Sequence, residues 1–123
     1  MDKHLTTKID KAAITELCAD AISELERAAR LWPTWPTELH YHCEEEEGIN
    51  LKCSRSLNDH GRATGQTIFS EEWYEFLLAA RKPGNIDAAR IELVQAMAML
   101  LRISCHLNDY VSHRGTESTE VNS

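Results

Sequence analysis

The sequence predicts an all-α chain, and three observations carry that expectation. Apolar residues recur at helical spacing from about Lys8 to Trp32. A second, denser apolar run extends from Ala88 to about Asn108. Between them, Lys82-Pro83-Gly84-Asn85 is a strong turn signal that separates this run from an amphipathic stretch before it. The segment of about residues 33–66 has no clear period and is expected to be a long irregular connection. The chain is read as a single helical domain over 1–111 with a polar, disordered tail over 112–123.

The first helix places Ile14, Leu17, Cys18, Ala21, Ile22, Leu25, Ala28, Ala29 and Trp32 on one side and charged residues on the other, and Pro33 ends it. The seven residues before it are expected to fray. The connection holds two Trp-Pro pairs, His40-Tyr41-His42-Cys43, four consecutive glutamates and three glycines. A short strand or hairpin around Ile49–Cys53 is the best element to offer there, and Glu44–Glu47 reads as a solvated acidic run. Ser70 is a candidate cap for the next helix, whose apolar face is Phe69, Trp73, Phe76, Leu77 and Ala80. Asp87 or Asn85 can cap the last one. The short turn makes these two helices antiparallel neighbours.

Composition excludes some classes of function. The net charge of -7 disfavours a non-specific nucleic-acid binder, because phosphates attract Lys and Arg. No stretch is apolar for long enough to span a bilayer; Leu93–Cys105 is interrupted by Gln95 and Arg102. No apolar run precedes residue 12, so no secretory leader is expected and a reducing cytoplasmic compartment is. Cys18, Cys43, Cys53 and Cys105 are therefore expected as thiols, with Cys18 and Cys105 in the core. A helical protein of 123 residues can gain core by pairing, so a homodimer or homotetramer is expected.

Chemistry concentrates in the last two helices. The final helix is apolar nearly all round and should be buried, yet Glu92, Gln95 and Arg102 lie along one stripe of it. Burying an unpaired charge costs several kcal/mol or shifts its pKa. Glu72 and Glu75 share a face of the preceding helix, with Glu71 beside them, so Glu72, Glu75 and Glu92 can converge at the seam. Such a group needs a cation or a basic side chain: Mg²⁺ or Mn²⁺ through oxygen-only ligation, or Arg81, Arg90 or Arg102. Arg81, Lys82 and Arg90 around the turn are candidates to hold phosphates, and Tyr74 to stack on a base; surface charge and packing are the plain alternatives. His40, His42, Cys43, Cys53 and His60 have ligand types that suit zinc, but their spacing matches no zinc pattern.

Glu71-Glu72-Trp73-Tyr74-Glu75, a turn, and then Glu92-Leu93-Val94-Gln95-Ala96-Met97-Ala98 resemble the MazG-like all-α nucleotide pyrophosphohydrolases. That family carries a Glu-x-x-Glu helix followed by a Glu-x-x-Asp helix. The match covers mainly Thr67 to Asn108. The resemblance implies a MazG-like helical bundle that hydrolyses an NTP or dNTP to a monophosphate and pyrophosphate. It implies Glu72, Glu75 and Glu92 as Mg²⁺ ligands, Glu71 or Glu75 as the group that takes a proton from water, and assembly as dimers or tetramers. Gln95 stands where the family has its last acidic ligand; an amide oxygen can ligate Mg²⁺ but brings no charge. Two other readings follow: a non-catalytic protein of the same fold that binds or sequesters a nucleotide, and a helical interaction module with no small-molecule site.

Overall fold

The computed structural model describes residues 4–111, and among them there is no strand. The helices are α1 (Lys11–Leu31), α2 (Glu44–Asp59), α3 (Gly65–Ala80) and α4 (Ile86–Cys105), followed by a short helical stretch, α5, over residues 107–111. The tail expected over 112–123 lies outside the described residues. Contacts group the chain into two units: residues 34–100 form one, and the segments before and after them form the other.

In the second of these units, Asp10 caps α1 by accepting the Ala13 N–H at 3.1 Å. The Trp32 N–H closes the helix on the Ala28 carbonyl at 2.8 Å, and Pro33 prevents another turn. Thr7 hydrogen-bonds His106 at 3.0 Å and accepts from Arg102 at 3.3 Å, which ties residues expected to fray to the end of α4. Despite its clear apolar face, α1 buries no residue: Ile22 is 57% exposed and Leu25 67%.

The unit of residues 34–100 differs most from expectation. No strand forms at Ile49–Cys53, because residues 44–59 are helical. The glutamate run is the first turn of α2, where negative charge complements the helix dipole. The helix ends in a Schellman arrangement: Gly61 takes φ 73° and the Arg62 N–H returns to the Leu57 carbonyl at 2.9 Å. Nor is Ser70 the cap of α3. Thr64 caps it in a capping box, accepting from the Thr67 N–H at 3.1 Å while its own N–H donates to Thr67 Oγ1 at 2.8 Å. Asn85 directly precedes α4, its carbonyl accepting the Ala89 N–H at 3.0 Å, and Asp87 lies within the helix.

The α2 and α3 helices pack closely. Glu47, Leu51, Ser54 and Asn58 recur at offsets of four, three and four along α2, and the first three are buried. The buried apolar residues are few: Leu51, Leu77 and Ala96. The α4 helix, expected to be covered, leaves Ile91, Val94 and Met97 more than half exposed, and Cys18 and Cys105 are not buried either. One chain of this length has too few elements to cover an all-round apolar helix. All four cysteines are free thiols.

Candidate metal and nucleotide site

Glu72 and Glu75 project from one face of α3, three residues apart, and the turn at 81–85 brings Glu92 of α4 to them. One carboxylate oxygen from each lies within 4.8 Å of the others. Among the described residues this is the one grouping of His, Cys, Asp or Glu close enough to hold a metal. His40, His42 and His60 instead bond Glu46, Glu47 or a backbone carbonyl, so the zinc reading finds no cluster among the described residues.

The three carboxylates are not equivalent. One oxygen of Glu72 and one of Glu92 are enclosed and have no hydrogen-bond partner among the described residues. Burial raises the Glu72 carboxyl above the usual carboxylate range, and the charges of Glu75, Glu71 and Glu92 add to this. Burial also raises Glu92, followed by the charge of Glu75, with Arg55 opposing. Glu75 is the compensated member: Arg55 of α2 donates to it at 2.9 Å. Three carboxylates thus face one guanidinium, and that guanidinium is half exposed.

Arg55 was not foreseen from the sequence, nor was Asn58. Asn58 donates to Glu71 Oε1 at 3.0 Å and accepts from Thr67 Oγ1 at 2.8 Å, which orients Glu71 at the edge of the cluster. Both residues lie on α2, in the segment read as irregular, so no helical spacing was available to aim them at α3. Gln95 is exposed and its side chain makes no hydrogen bond among the described residues. Tyr74 is half-buried between Trp73 and Glu75.

The basic residues around the turn divide into two sets. Arg81 is engaged with the chain itself. Its Nε donates to Glu47 Oε1 at 2.6 Å and its Nη2 to the His42 carbonyl at 2.8 Å. Glu47 is fully buried, so it is no part of a solvated run, and its second oxygen meets His40 Nδ1 at 2.7 Å. Burial pushes the Glu47 carboxyl up, but the hydrogen bonds from Arg81 and His40 outweigh this and hold it below the ordinary range. Lys82 and Arg90 are exposed and line a cavity at the turn end of α3 and α4.

No protein-family profile, curated protein or solved structure matches the chain.

Proposed function

We propose that the chain is a Mg²⁺-dependent nucleotide pyrophosphohydrolase of MazG-like type, acting on an NTP or dNTP as a homo-oligomer. The observation that carries this reading is the pair of enclosed, unpartnered carboxylate oxygens on Glu72 and Glu92, set against Glu75. A buried anionic oxygen with no donor is costly, and the donor set is all oxygen, which suits a hard divalent cation. Mg²⁺ bound there would screen phosphate charge and lower the pKa of a bound water.

The chain's own residues divide the remaining work. Glu72, Glu75 and Glu92 supply the ligands. Glu71, held by Asn58, or Glu75 accepts the proton of the attacking water. The water oxygen bonds to phosphorus, the bridging oxygen between the α and β phosphates leaves, and monophosphate and pyrophosphate result. The test is pyrophosphate release from a panel of NTPs and dNTPs with Mg²⁺. Release is expected from the wild-type protein and background levels from Glu72→Ala and Glu92→Ala; no release from any member rejects hydrolysis.

A second reading is favoured by two observations. Gln95 is uncharged and exposed, and Arg55 already occupies Glu75. Both lower the charge available to hold a metal, and they fit a protein that binds a nucleotide without cleaving it. Chromatography of the bound ligand separates the two readings, since intact nucleotide supports sequestration and monophosphate supports turnover.

A further inference from the structure

The cavity at the α3–α4 turn has a volume of about 490 Å³ and lies wholly within residues 76–93. That is within the range of about 300–1,000 Å³ typical of small-molecule pockets. Phe76 and Ala80 on α3 face Ala89 and Leu93 on α4, so its walls are apolar. Lys82 and Arg90 also line it, and neither side chain has a hydrogen bond or ion pair among the described residues. Arg27, Arg55 and Arg81 differ, since each is paired with a glutamate. An aromatic wall with two uncommitted cations suits a flat apolar body that carries an anionic group.

The position of the cavity adds to its chemistry. Phe76 follows Glu75 directly and lies about one helical turn, a rise of about 6 Å, beyond Glu72, and Leu93 follows Glu92. The cavity and the carboxylate cluster therefore draw on the same two helices. We infer that this cavity binds a nucleoside monophosphate in its own right, apart from the carboxylate site, with the ring against Phe76 and Leu93 and an anionic oxygen at Lys82 and Arg90. The inference rests on the nucleotide reading for the class of ligand but needs no metal.

The test uses the full chain, isotope-labelled, in buffer with EDTA. Nucleoside monophosphates, unphosphorylated nucleosides and inorganic phosphate are titrated separately and followed by NMR. Saturable monophosphate binding is expected, with shifts confined to residues near 76–93. Weakening of about tenfold is expected in a Lys82→Gln/Arg90→Gln variant, as for loss of a charge-assisted contact. Nucleoside alone and phosphate alone should each bind more weakly than the monophosphate. Phosphate binding as tightly as the monophosphate, or a double variant that binds unchanged, overturns the inference, as does the absence of saturable binding. Binding in EDTA that survives Glu92→Gln keeps the cavity distinct from the metal site. Monophosphate binding without Mg²⁺-dependent hydrolysis would then sink the pyrophosphohydrolase reading alone, and hydrolysis without this binding would sink the cavity alone.

Discussion

At the scale of single residues, the enclosed glutamates fall into two kinds. Glu47 is fully buried and fully partnered, by Arg81 on one oxygen and His40 on the other. Glu72 and Glu92 are partly buried, and each leaves an oxygen with no partner. The first arrangement is structural and the second invites a ligand. Because the folded-state pKa of Glu47 is lowered, its contribution to stability is present above the unfolded value of about 4.3 and is lost as pH falls through the lower folded value. Arg81→Ala leaves the buried Glu47 with His40 alone and is expected to destabilise the fold, measured by chemical denaturation near neutral pH. A loss below about 0.5 kcal/mol would show that the pair does not hold the chain around His42 to the end of α3.

At the scale of elements, legibility followed the kind of residue that each helix buries. The α1 and α4 helices were readable because their apolar residues repeat at helical spacing. The α3 helix is readable from Phe69 to Ala80, but Ser70, the cap the sequence suggests, lies inside a helix that the capping box of Thr64 and Thr67 starts earlier. The α2 helix was missed altogether. Its inward stripe is an acid, a leucine, a serine and an asparagine, so a search for apolar period finds nothing there. Two signals were nonetheless present: four acidic residues suited to a helix start, and Gly61 suited to a helix end. Missing α2 also meant missing Arg55 and Asn58, which it carries to Glu75 and Glu71. The carboxylates themselves were legible, since Glu72, Glu75 and Glu92 follow from helix period and a short turn. Thr64→Ala removes the acceptor of the Thr67 N–H, one of the two capping-box bonds, and is expected to destabilise by about 1 kcal/mol in thermal melts followed by circular dichroism. An unchanged melt would mean that α3 begins elsewhere.

At the scale of the whole molecule, three buried apolar residues among the described residues 4–111 are a slender core. Ile22 and Leu25 on α1, and Ile91, Val94, Met97 and Leu100 on α4, are about half exposed or more. A second copy that covers such faces would supply the missing burial, since a stable interface removes roughly 800 Å² from each partner. Light scattering coupled to size-exclusion chromatography is expected to give a multiple of the 14.0 kDa chain mass, and Val94→Lys with Met97→Glu is expected to reduce it. A stable, well-folded species at the chain mass would contradict this. The claim on which the rest depends is that the glutamates of α3 and α4 need a cation. Thermal unfolding of the metal-free protein, titrated with Mg²⁺, tests it most directly, because a ligand that binds only the folded state raises Tm with its concentration. Wild-type Tm is expected to rise with Mg²⁺. Glu92→Gln should melt a few degrees higher than wild type in EDTA, having lost a repelling charge, and gain nothing from Mg²⁺. A wild-type Tm indifferent to Mg²⁺, or an equal gain in both proteins, would contradict the claim.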